Sequence, residues 1–80
     1  MSGASLHTGA VVALGELSRL EGYALAGVDL RTAETEDEAL EQWSALDARV
    51  GVVFLTRRSA HALGARADAA DAPMTVVLPE

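Results

Sequence analysis

Hydrophobic residues along this chain fall into short runs separated by segments of helical period. The first run, Gly9 to Leu14, does not alternate with polar residues, which marks a strand buried on both faces, and Gly15 ends it. Glu16 to Ala26 carries Leu17, Leu20 and then Tyr23 or Ala24 at helical spacing. A helix is predicted there with Gly27 as its stop, although Gly22 inside it costs about 1 kcal/mol relative to alanine. Val28 to Thr32 alternates apolar and polar positions, as a half-exposed edge strand does.

Thr35-Glu36-Asp37-Glu38 has the form of a capping box: the threonine oxygen takes a free backbone N–H and Glu38 reaches back. Acidic residues in that first turn also suit the positive end of the helix dipole. The helix it opens runs to Asp47 and places Ala39, Leu40, Trp43 and Leu46 on one face, so Trp43 is expected in the core. Gly51 to Leu55 is a second unalternating strand. Thr56 caps a third helix from Arg57 to about Ala67, with Ala60 and Leu63 turned inward. Asp68 to Pro73 is a small-residue loop, and Met74 to Leu78 is a last strand stopped by Pro79.

Strands and helices therefore alternate, and short connections between them require parallel strands joined by right-handed crossovers. The predicted fold is α/β, a three-layer doubly wound sheet of four parallel strands in flavodoxin-like or receiver-like order 2-1-3-4. Residues 1–8 form an N-terminal tail and residues 9–80 a single domain.

Composition narrows the function classes. A chain of 80 residues supports one core and no second lobe. Without cysteine there are no disulfides, thiolate metal sites or cysteine nucleophiles. A net charge of -6, with arginine as the sole cation besides histidine, opposes a nucleic-acid partner. No apolar run approaches the roughly 18 residues of a membrane span, and Met1 to Thr8 lacks the basic-then-apolar order of a signal peptide. A soluble cytoplasmic protein is expected.

In a doubly wound fold, ligands sit beyond the carboxyl ends of the strands. The first strand-to-helix turn is Gly15-Glu16-Leu17, with a carboxylate where a dinucleotide phosphate would lie, and there is no lysine for a P-loop. A phosphoacceptor receiver needs an aspartate at the end of its third strand, where this chain has Thr56, and a lysine. His7 and His61 lie in unrelated elements and give no ligand spacing. Ser18 and Ser59 have no visible base partner. The acidic run Glu34, Glu36, Asp37, Glu38 and Glu41 reads as capping and a solvated helix face, with a basic partner as the alternative. Arg57 and Arg58 are unusual, because two cations at a helix N-terminus oppose its dipole. Neither a cofactor, a metal nor a catalytic group is expected, and the residues alone point to a binding or structural module.

Three blocks carry a resemblance. Gly22-Tyr23-Ala24-Leu25-Ala26-Gly27-Val28 resembles the G-F-x-L-A-G-V stretch after the first strand in the F subunit of V-type (A/V-type) rotary ATPases. Gly51 to Ala60 is similar to that family's segment ending in T-E-x-x-A, and Pro73 with Val76-Val77-Leu78-Pro79 is similar to its last strand. With matching spacing, the resemblance covers residues 9–80.

The resemblance implies a noncatalytic central-stalk subunit of a proton- or sodium-transporting ATPase or ATP synthase. Such a subunit binds the coiled-coil D subunit of the rotor and is cytoplasmic, peripheral to a membrane complex. The segment after the second strand would face the stalk, and the partner-binding residues it suggests are Glu16, Arg31, Thr32, Ala33, Glu34, Arg57 and Arg58. The chain departs from the family in three ways. It has Gly15-Glu16 in place of a Gly-Asp pair, Arg57 in place of an acid, and it ends at Glu80 where members continue into a C-terminal helix. The alternative is a free-standing receiver-like module that binds protein or ligand, with Glu16, Arg57 and Arg58 as its charged groups.

Overall fold

The computed structural model describes residues 10–23 and 27–79. Four strands form one all-parallel sheet: β1 (Ala10–Gly15), β2 (Asp29–Thr32), β3 (Val50–Leu55) and β4 (Met74–Val77). Their order is β2-β1-β3-β4, the predicted doubly wound arrangement. The central strands β1 and β3 are the two unalternating apolar runs, each with a strand on either side. The predicted tail and the start of the first strand at Gly9 lie outside the described residues.

The helices are shorter than their periodicity suggests. α1 (Leu17–Leu20) is a single turn. Its chain unwinds through Gly22, whose N–H bonds the Arg19 carbonyl at 3.2 Å, and Tyr23, whose N–H bonds the Leu20 carbonyl at 3.0 Å. The predicted continuation through Ala24 to Ala26 lies outside the described residues. Gly27 has φ of 82° and so supplies a left-handed turn into β2.

α2 (Glu36–Ser44) ends ahead of Asp47. The Ala45 N–H is shared between the Glu41 and Gln42 carbonyls and Leu46 bonds three residues back, so the last turn tightens. α3 (Arg57–Leu63) stops at Gly64, φ 53°, and a 3₁₀ turn over Gly64–Asp68 takes up the rest of the predicted helix. Thr35 caps α2 by accepting the Glu38 N–H at 3.1 Å. Glu38 reaches back one residue further than a capping box requires, accepting the Glu34 N–H at 2.7 Å.

Side chains alternate across the sheet into two cores. Val12, Leu14, Val53 and Leu55 face α2 and α3, packing with Ala33, Ala39 and Leu63. Trp43 is half-buried against that core and not inside it. On the opposite face Ala13, Leu20 and Leu78 pack with Tyr23, Val28 and Phe54. Neither face is covered over the edge strands, and Val77, beside Leu55 on the α2 and α3 face, is 50 % exposed. The register puts Leu30 beside Ala13, Met74 beside Val52 and Val76 beside Phe54, all on the α1 face. There Leu30 is 41 %, Val76 40 % and Met74 67 % exposed.

Candidate functional site

Three strand-to-helix connections meet beyond the carboxyl ends of β1, β2 and β3, and their side chains form one polar network. Gly15 makes it possible, because a Cβ there would lie 2.7 Å from Thr56 Cβ. Thr56 is therefore pressed against the β1 backbone, its N–H bonding the Leu14 carbonyl at 3.2 Å. Its hydroxyl accepts the Ser59 N–H at 3.4 Å, capping α3 as predicted, and donates to Glu16 Oε1 at 2.5 Å.

Glu34 ties in the second connection. Its Oε2 accepts the Leu17 N–H at 3.0 Å, so the start of α1 is capped from another loop, while the α1 N-cap residue Glu16 makes no side-chain cap. Arg58 spans the set: Nη1 donates to the Glu34 carbonyl at 3.0 Å, and Nε lies 3.9 Å from Glu16 Oε2. This accounts for Arg58 at a helix N-terminus. Its charge is directed at Glu16 and Glu34 and not along the α3 axis.

The Glu16 side chain is only 16 % exposed. Burial acts to raise its pKa, but the Thr56 hydroxyl, its own backbone N–H and the Arg58 and Arg19 guanidiniums outweigh burial. The carboxyl is held below its ordinary value and stays ionised.

Beside this network lies an open cavity of about 400 Å³ between α1 and the ends of β3 and β4. Glu16, Ser18, Arg19, Thr56 and Arg57 supply its polar wall, and Tyr23, Leu78 and Pro79 its apolar one. The Tyr23 hydroxyl donates to the Pro79 carbonyl and closes one side. Arg57 forms no ion pair among the described residues.

The residues suggested from sequence divide into three groups. Glu16, Glu34 and Arg58 come together in the network, and Arg57 faces the cavity. Arg31 pairs with Asp29 on its own strand at 2.9 Å, and Thr32 is exposed at the β2 edge. Ala33 is 1 % exposed and bonds the Gly15 carbonyl, so it presents no surface to a partner.

Ser59 is also buried, and its Oγ has no hydrogen-bond partner among the described residues. The sequence placed Ala60 and Leu63 inward without showing this, because Ser59 reaches the interior through its closeness to Thr56. His61 is exposed on α3, and His7 lies outside the described residues. Among the described residues there is no grouping of His, Asp and Glu able to hold a metal, and no helix long and apolar enough to cross a membrane. Thr56, in the position of a receiver's phosphoacceptor, is spent on the cap and on Glu16. Comparison with protein-family models, curated proteins and solved structures yields no match to this chain.

Proposed function

We propose that the chain is a noncatalytic F-like subunit of the central stalk of a V-type proton- or sodium-transporting ATPase or ATP synthase, binding a coiled-coil D-type subunit. The reading places it in the cytoplasm, peripheral to the membrane complex. It is supported by the three sequence blocks in order and by a sheet of the matching strand order. The observation that carries it is the exposed apolar surface of β4. Parallel sheets bury both faces, so the exposed apolar residues Met74, Val76 and Val77 support the presence of a partner on β4.

The polar network fits this reading. It ties three loops together, which suits a part that must transmit torque. The test is calorimetry or co-elution with the D-type coiled-coil subunit encoded in the same genome. One-to-one binding with a Kd of about 1 µM or tighter is expected. A folded chain that does not bind it ends the assignment. A second reading, a receiver-like ligand-binding module without phosphoacceptor chemistry, draws on the 400 Å³ cavity at the strand ends. Saturable small-molecule binding there, with no coiled-coil binding, would favour it.

A further inference from the structure

The cavity between α1 and the ends of β3 and β4 has the size and the mixed lining of a small-molecule site. Its volume of about 400 Å³ falls at the lower end of the range of about 300–1,000 Å³ that such sites span. Tyr23, Leu78 and Pro79 make one side of it apolar, and Glu16, Arg19 and Arg57 charge the other.

Those three charges are not equivalent. Glu16 Oε1 accepts from the Thr56 hydroxyl, Oε2 lies 3.9 Å from Arg58, and Arg19 adds a second guanidinium near the same carboxyl. A cationic ligand would therefore meet a carboxylate that is already answered. Thr56 has its hydroxyl proton committed to Glu16, and the Tyr23 hydroxyl donates to the Pro79 carbonyl, which leaves the Tyr23 ring as its contribution to the cavity. Arg57 lines the cavity and forms no ion pair among the described residues. In a chain of net charge -6, an unanswered guanidinium beside a partly apolar cavity favours an anion with an apolar body.

We infer that this cavity binds a small aromatic carboxylate, its carboxylate paired with Arg57 and its ring against Tyr23, Leu78 and Pro79. The inference rests on the ligand-binding reading, names the class of ligand and needs no coiled-coil partner. A carboxylate presents two oxygens in one plane, which the guanidinium fork matches with two parallel bonds. One negative charge also suits one unpaired arginine. A phosphate monoester carries between one and two charges at neutral pH, and the excess would lie beside the ionised Glu16. An aromatic body suits the apolar side, because offset or edge-on packing on a tyrosine ring adds to the area it buries.

The test is an NMR titration of the full chain with 3-phenylpropionate, with its uncharged counterpart 3-phenylpropanamide and with inorganic phosphate. 3-Phenylpropionate is expected to shift the backbone signals of Ser18, Arg19, Tyr23, Arg57 and Leu78 saturably, with a Kd of about 1 mM. 3-Phenylpropanamide and phosphate should each bind at least about tenfold more weakly. Arg57→Gln, shown by circular dichroism to fold, should weaken 3-phenylpropionate binding at least about fivefold. Arg49→Gln, an exposed arginine just ahead of β3, should change it less than about twofold. If 3-phenylpropanamide or phosphate binds as tightly as 3-phenylpropionate, or Arg57→Gln binds as wild type does, the ligand class is wrong and the ligand-binding reading stands. If no probe shifts the cavity residues, or shifts fall only elsewhere, the class and the ligand-binding reading fall together.

Discussion

The Thr56 hydroxyl donates to Glu16, forty positions earlier in the chain, and accepts the Ser59 N–H from its own helix, so one side chain both caps α3 and anchors the β1 turn. Thr56→Val keeps the shape and removes both bonds. It should cost about 1–2 kcal/mol in urea unfolding. A loss below the error of that measurement would mean that the two bonds carry no net stability.

Glu16 makes stability depend on pH. Its folded pKa lies below the ordinary 4.5, so the native state favours the ionised form. That contribution is complete above pH 4.5 and is lost as pH falls through the lowered folded value. The urea midpoint should therefore drop in this acid range for wild type, and drop less steeply for Glu16→Gln. Parallel pH profiles for the two proteins would contradict the assignment.

Gly15 is required by contact and not by its backbone angles. A Cβ would collide with the Thr56 side chain, whose backbone is held to β1 by its N–H bond to the Leu14 carbonyl. Gly15→Ala should destabilise by about 1–3 kcal/mol, lowering Tm by about 4–8 °C per kcal/mol for a domain of this size. Pairing it with Thr56→Ala should recover part of the loss, a non-additivity visible in a double-mutant cycle.

Ser59 is a polar group whose burial is not compensated within the described chain. Replacing it with alanine removes the orphaned hydroxyl and raises helix propensity, so Ser59→Ala should stabilise by about 0.5–1 kcal/mol. Measured destabilisation would point to a hydrogen bond that this hydroxyl makes in solution.

Glu34 should act locally. Without its carboxylate the Leu17 N–H has no protein acceptor, and α1 is too short to hold itself together. Glu34→Ala is expected to speed amide exchange at Leu17 several-fold while changing global stability by less than about 1 kcal/mol. Glu36→Ala, on the exposed side of α2, should leave the Leu17 exchange rate unchanged.

The exposed apolar surface of β4 and the loop network share a cause that bears on what was legible beforehand. Local chemistry marks the elements: two unalternating runs became the central strands, Thr35 and Thr56 became caps, and the alternation of strands with helices led to the order β2-β1-β3-β4. Each of these depends on residues within about one turn or one strand, where hydrophobic period and capping act. The ends of helices were less legible. α1 and α3 stop early because glycine and tightened turns compete with a periodicity that continues in the sequence.

Tertiary structure alone decided that Glu34 caps α1, that Arg58 joins Glu16 to the Glu34 carbonyl, that Ala33 and Ser59 are buried, and that Arg57 faces a cavity. These groups lie far apart in the chain and are neighbours only because parallel strands bring successive loops to one end of the sheet. No local pattern encodes such a meeting. The sequence by itself determined which residues form the sheet and which faces are apolar. Packing determined which of those faces the chain covers, since coverage depends on where each crossover helix comes to rest.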